Sequence, residues 1–472
     1  MVQGDRSLTW AEFDEFIDEI AGALASLGLV AGNRVGLCAM NSIEAIAAYF
    51  AVVRAGYVLV PINPALENVN TILEETTPRV VFADSIGAPR IRGAQTKLVL
   101  FDGSAQGEEL TFAQLLESSA KNVPPSPTDA EALAAIIYTP DAAGTLRGAM
   151  LTHRALIANV EQISALGVTA INPEDRVLVV MPVFHIFALN AILGQVAKQG
   201  ATAVVVPRFD PQGTLEIIRD QQVTVVPIAP PVIAAWSDGV DKVSYFESVR
   251  HVFSGAALLD PELEVDFVNS SGTVLDQGWG ITEAGPVIAT TIGIARHDGP
   301  LPRGFVGQAL PGIEVKSFEG GSDASEILIR GDNLFIGYWP DGSGGPQSDG
   351  WYATGEIGFV DEFGHVTIVE RQNDMIEVSG FQVFPFEIEQ VLIEISGVDE
   401  AVVIGVPDSE TGQSVRALVV GEATEAEILE AASKKLAQYK LPTSIVKTTN
   451  LPTAADRTHL RALARSKDLG LE

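Results

Sequence analysis

The sequence predicts an α/β protein: a large N-terminal domain, residues 1–371, of layered parallel sheets with helices, and a small C-terminal α+β domain, residues 372–472. Three observations carry this prediction. Helical and strand periodicities alternate from Ala11 to Ala229, which demands crossover connections and so a mainly parallel, two-faced sheet. A stretch dense in Gly, Pro and Ser, from Gly337 to Gly350, then breaks the pattern. Beyond Arg371 the chain changes to long β runs (AVVIGVPD, RALVVG) with one clear helix, the content of a small unit with its own core.

Ala11 to Leu27 places apolar residues at helical spacing, and Gly32 turns the chain into the apolar run Val35 to Cys38. Ile43 to Ala55 is again helical, YVLVPI at 57–62 is β-rich, a helical stretch lies near Thr71, and RVVFAD (79–84) and LVLFD (98–102) are strands. After a Pro-rich connector from Val123 to Thr128, a second α/β layer begins with AAIIYT (134–139). It continues through VLVV (177–180), AVVVP (203–207) and VTVVPIA (223–229). In the small domain a helix is expected from about Thr424 to Tyr439, followed by the strand SIVKT. No internal repeat of solenoid length is present.

Composition excludes several function classes. The chain of 472 residues is 47% apolar and 19% charged, which rules out a disordered tail protein. Thirty Lys and Arg against 61 Asp and Glu give a net charge of −31, so non-specific binding to nucleic acid or anionic lipid is unfavourable. A polyanionic ligand needs a local island of positive potential. Cys38 is the one cysteine, which excludes an intrachain disulfide and fits a reducing compartment. No run of 18 uncharged apolar residues exists; the longest candidate, Ala45 towards Ile62, is interrupted by Arg54. With no integral membrane segment and no basic, apolar leader in MVQGDRSLTW, a cytoplasmic location is expected. The carboxylates near His297 (HDGP) lack metal-ligand spacing and read as solvated surface.

Segments along nearly the whole chain, RSLTWAEF, GNRVGLCAMNS, MPVFHIFALN, FSGAALL, QGWGITEAGP, GWYATGEIGFVDEFGH, VERQNDMIEVSGFQVFPFEIE and GVPD, occur in one order and spacing. Together they resemble the adenylate-forming superfamily of acyl-CoA synthetases, peptide-synthetase adenylation domains and firefly luciferase, and most of all bacterial fatty-acyl-CoA ligases. Family members usually carry one more leading segment than this chain shows. The resemblance implies a two-step ligase using ATP, magnesium and CoA on a small carboxylate, of the fatty-acid class. The carboxylate attacks the α-phosphate to give an acyl-adenylate and pyrophosphate; the small domain then rotates and CoA thiolate displaces AMP. The first step crowds negative oxygens around one phosphorus, so it needs backbone donors, a metal and cations.

The phosphate loop departs from the family. Where the family reads YTSGTTGxPKG, Tyr138 to Gly148 read YTPDAAGTLRG. Pro140 removes a backbone donor, Asp141 adds a carboxylate, and Ala142 and Ala143 remove hydroxyls. Thr139, Gly144, Arg147 and Gly148 keep the type. The C-terminal LPTAADRTHLR places Thr458 on the family's adenylation lysine, with Arg457 and His459 beside it. Loss of such a preorganised charge removes roughly 10²–10³ in rate.

The resemblance assigns further roles. Thr282 serves the α-phosphate and Glu283 the magnesium; the plain alternative for Glu283 is a capping or salt-bridged carboxylate. Glu356 stands at the ribose-binding Asp position and Arg371 at the second ribose ligand. Trp279 stacks on adenine or floors the acyl channel. His185, Ser254, Gly255, Ala256, Ala257 and Gly280 line the acyl pocket, each with ordinary packing as its alternative. Gly380 passes the pantetheine arm of CoA and Asn373 is the hinge. Two functions therefore stand: an acyl-CoA ligase with an impaired adenylation step, and a non-catalytic binder of acyl-CoA, adenylate or AMP on the same scaffold. Between them lies a protein competent only for thioester exchange.

Overall fold

The computed structural model describes residues 1–472 except 67–68, 120–122, 141–144, 167–169, 237–241, 295–300, 318–323, 372–374, 379–380, 409–410, 450 and 452–472. Two large sheets and one small one organise the described residues. The first, seven-stranded, is parallel through Lys97–Leu100, Val80–Ala83, Arg34–Cys38, Val58–Pro61 and Leu133–Pro140, and closes with Leu146–Thr152 antiparallel to the last of these. Its helices start where the sequence supplies caps. Thr9 and Glu12 form a reciprocal capping box on Trp10–Ser26, and Ser42 caps Ile43–Arg54. Both helices bury an alanine-rich face against each other and the sheet.

The second sheet has thirteen strands and is mixed. Its first part, Thr202–Val205, Arg176–Val179, Val225–Ile228, His251–Ser254 and Leu275–Gly280, is parallel. From Leu275–Gly280 onward the partners Val287–Thr290, Phe305–Ala309, His365–Arg371, Tyr352–Val360, Ser325–Arg330 and Glu314–Ser317 are antiparallel. The expectation of parallel layers is thus corrected for this half: among the described residues no α-helix lies between its strands, so no crossover signals them. The small unit builds a five-stranded sheet from Ile376–Val378, Phe381–Val383, Val398–Asp408, Gly412–Gly421 and Ser444–Lys447 around Ile388, Leu392, Val403 and Ala417. Its expected helix is shorter than the sequence suggests, Glu425–Ala432 with a 3₁₀ turn at Gln438–Lys440. The chain bends so that Leu436 reaches the core.

Asn41 ties the two large sheets together. Its amide nitrogen donates to the carbonyls of Val179, Met181 and Val206 at 3.2, 3.0 and 3.2 Å, and its oxygen accepts from Val183 N–H at 2.9 Å. One buried side chain thereby fixes the turn that precedes His185. Cys38 lies nearby and is buried; burial and then the Asp84 carboxylate push its thiol up to about 12, so it is unreactive.

Candidate active site

The carboxyl ends of the parallel strands converge on one region, where ligands bind in wound α/β sheets. His185 follows Arg176–Val179, Gly255 follows His251–Ser254, and Gly280 ends its strand. A hollow of about 780 Å³ opens instead at the amino ends of Arg34–Cys38, Val80–Ala83 and Lys97–Leu100. It is lined by residues such as Thr77, Arg79 and Glu109 and contains none of the predicted site residues.

Thr282 and Glu283 sit on a single 3₁₀ turn, Thr282–Ala284, between Gly280 and the hairpin strand Val287–Thr290. A Cβ on Gly280 would lie 1.9 Å from the Pro286 carbonyl oxygen, so the close approach of the two strands requires glycine. Three asparagines strap the turn from outside. Asn159 donates to Val287 O and accepts from its N–H, Asn190 donates to Gly285 O at 2.6 Å, and Asn333 donates to Ala284 O at 2.7 Å.

Glu283 is 7% exposed, and its Oε1 accepts from the Tyr338 hydroxyl at 2.7 Å. Tyr338 OH lies 3.2 Å from Tyr352 OH. Burial, then the Glu283 carboxylate, raises the Tyr338 phenol far above its usual range; the same causes in the same order push Tyr352 up to about 12. Both phenols stay protonated and act as donors. The Arg147 guanidinium stacks on Tyr338 with its carbon 3.5 Å from the ring centroid. Gly344 leaves the room: a Cβ there would come within 2.7 Å of the guanidinium. The phosphate-loop cation and the expected metal carboxylate thus flank one tyrosine.

The sequence did not single out Tyr338 or Tyr352. The segment from Gly337 read as connector on composition, yet it is strapped to the phosphate-loop hairpin: Met150 N–H donates to Gly337 O at 3.0 Å, and Trp339 N–H to Gly148 O at 2.8 Å. The aromatic dipeptide Tyr338-Trp339 inside a Gly-rich loop was the available signal. Thr139 and Gly148 occupy the paired strands of that hairpin, Thr139 opposite Arg147 and Tyr138 opposite Gly148. Gly144 and the substituted positions Asp141, Ala142 and Ala143 lie outside the described residues, as do Asn373, Gly380 and Thr458. Arg371 ends its strand directly opposite Glu356 in register, which brings the two expected ribose positions together.

His185 precedes a π-helical turn, Phe187–Ile192. His185 is exposed, and the protein atoms packed around its ring lower its pKa. Its Nδ1 accepts from Phe187 N–H at 3.2 Å, which leaves the proton of the neutral ring on Nε2. The Phe187 ring covers Gly255, lying 3.1 Å from where a Cβ would sit. Ala256 adopts a left-handed φ of 69°, and Ala256 and Ala257 are exposed. Trp279 is 7% exposed and packs in a cluster with Ile163, Ala191, Ala284 and Ile288, against which Phe187 also rests.

A wound pair of sheets with a Thr-Glu turn at its strand ends, followed by a small α+β unit, defines the adenylate-forming class. The chain belongs to the AMP-binding enzyme family: the family model matches residues 1–339, and the model of the AMP-binding enzyme C-terminal domain matches 387–456. It is 31% identical to 4-coumarate–CoA ligase 5 of Oryza sativa subsp. japonica, covering 98% of this chain and 89% of that one. It is 30% identical to 4-coumarate–CoA ligase 2 of Petroselinum crispum, covering 98% and 90%. Among solved structures, ATP-bound MatB from Rhodopseudomonas palustris superposes with a TM-score of 0.82 at 26% identity, covering 98% of this chain and 96% of that one. A fatty acyl CoA synthetase of Mycobacterium tuberculosis superposes with a TM-score of 0.81 at 26% identity, covering 98% and 95%. The chain is therefore of the acyl- or aryl-CoA ligase family, and no described helix is long and apolar enough to cross a membrane.

Proposed function

We propose that this chain is an acyl-CoA ligase-type protein that joins a small apolar carboxylic acid to CoA through an acyl-adenylate, with the adenylation step impaired. The fatty-acid class is the first expectation; the relatives named for 4-coumarate make an aromatic acid the other member of the same apolar class. The arrangement of Glu283, Tyr338 and Arg147 carries this reading: a buried carboxylate and a cation are held on one tyrosine, beside the strands that bear the phosphate loop. Among the described residues no three carboxylate, His or Cys groups cluster as a metal site. A single carboxylate suits magnesium, which characteristically takes one or two protein carboxylates and completes its shell with phosphate and water. Glu283 would hold that ion through Oε2, and the ion would neutralise charge on the phosphates.

In this reading Thr282 contacts the α-phosphate, Thr139, Arg147 and Gly148 serve the polyphosphate with Gly144, and Glu356 and Arg371 take the ribose. His185, Gly255 and Gly280 shape the acyl side, Gly380 the CoA arm, and residues 372–472 turn about Asn373. The lone buried thiol of Cys38 fits a cytoplasmic location. Pro140, Asp141, Ala142, Ala143 and Thr458 favour the second reading, a non-catalytic binder of AMP, adenylate or acyl-CoA.

Pyrophosphate release from ATP and carboxylic acid separates the two. It should be slow in the native chain, little changed by Thr458→Lys alone or by restoring SGTT at 140–143 alone. Combined, the changes should raise it by about 10²–10³, because a charge helps only a triphosphate that is already positioned. Robust turnover by the native chain would end the impaired-step reading. Inactivity of the combined variant, with AMP or acyl-CoA still bound, would favour the binder.

A further inference from the structure

The hollow of about 780 Å³ at the amino ends of Arg34–Cys38, Val80–Ala83 and Lys97–Leu100 inverts the charge balance of the chain. Carboxylates outnumber Lys and Arg by 61 to 30 overall, yet four cations, Arg34, Arg79, Arg92 and Lys97, line this hollow against two carboxylates, Glu108 and Glu109. Arg92 is taken up by Glu109: its Nε and Nη2 donate to the two carboxylate oxygens at 2.8 and 3.2 Å. The side chains of Arg79 and Lys97 make no hydrogen bond or ion pair with any described residue. Arg34 donates only to neutral acceptors, from Nε to Thr76 O and from Nη2 to the Thr77 hydroxyl. Three uncompensated cations therefore face one free carboxylate, Glu108, among the described residues.

The Arg34 guanidinium is held in place. Its carbon lies 5.5 Å from the centroid of the Trp339 ring. Thr77, just past the helix Val69–Thr76, accepts from it at 2.8 Å while its backbone sits at a left-handed φ of 42°, a conformation poorly suited to a β-branched residue. Glycine would relieve that strain at a helix end, but would leave Arg34 without its second acceptor. Two positive charges in excess match a phosphate monoester, which carries about −1.5 to −2 at pH 7, better than a single carboxylate. Guanidinium forks present paired donors to such an oxyanion. Gln95 on the same lining offers an amide to a polar body attached to it.

We propose that this hollow is a second binding site, for a small polar molecule bearing a phosphate monoester, with Arg34, Arg79 and Lys97 as its cations. It contains none of the residues assigned to ATP, the carboxylic acid or CoA, and it does not depend on the ligase reading.

The test titrates glycerol 3-phosphate into the full chain by calorimetry, in EDTA. One site with a Kd of about 1 mM or tighter is expected, while glycerol should not bind and succinate should bind at least about fivefold more weakly. The double variant Arg79→Ala, Lys97→Ala should lose about tenfold or more in affinity, and Glu108→Gln should gain about two- to fivefold by removing the opposing charge. Arg147→Ala, at the phosphate loop, should change nothing. Native binding weaker than about 10 mM, succinate held as tightly as the phosphate, or a double variant that binds like the native chain overturns the proposal. Loss of binding in Arg147→Ala assigns the phosphate to the nucleotide site and overturns it too. Should the double variant not fold, Glu108→Gln decides: an affinity unchanged or weakened overturns the site.

Discussion

At the residue scale, the fate of each charge near Glu283 depends on a neighbour that the linear motif does not contain. Tyr338 donates to a carboxylate that is almost fully buried, so Tyr338→Phe should lower stability by about 1–3 kcal/mol. A denaturant midpoint equal to that of the native chain would show that Glu283 finds another donor. Burial holds the imidazoles of His185 and His153 below their ordinary value of 6.5. Below that pH the unfolded chain takes up protons that the folded chain refuses. Stability should therefore be level above about pH 6.5 and fall as pH drops beneath it, the sign expected when the unfolded state binds more protons. His185→Gln should flatten part of that slope, and urea midpoints followed from about pH 7.5 to 5.5 measure it; an unchanged slope would show that this ring titrates normally.

The element scale is set by the hairpin that presents Thr282 and Glu283. Of the glycines flanking Trp279, one is demanded by backbone approach and the other is not. A Cβ at Gly280 collides with the Pro286 carbonyl, whereas at Gly278 the nearest atom, Ala289 O, is 3.8 Å away. Gly280→Ala should cost about 2–4 kcal/mol, and Gly278→Ala well under half of that, in parallel thermal melts. Equal losses would mean that the strands separate to admit the extra carbon. The motif GWGITE was legible in the sequence as residue types. Its straps Asn159, Asn190 and Asn333 were not, because each reaches the turn from a distant element and none carries a local pattern.

For the whole molecule, the second large sheet ends at Arg371 and the small sheet begins at Ile376. The small sheet encloses its own apolar cluster, from Ile376 through Leu392 and Val403 to Ile445. A fragment of residues 372–472 should therefore fold alone and melt cooperatively by circular dichroism. A featureless melt would place the boundary at 371/372 in error.

The alternation of helix and strand, the split between a wound body and a small unit, and the altered phosphate loop were all written in the sequence. Each is a local property: a period, a change of composition or a residue type at a known spacing. The antiparallel half of the second sheet was not, since its described strands follow one another without an intervening α-helix and leave no crossover signal. Nor could the sequence show that Tyr338 holds Arg147 on its ring and Glu283 on its hydroxyl. Those relations join residues far apart in the chain, and strand register and packing alone bring them together.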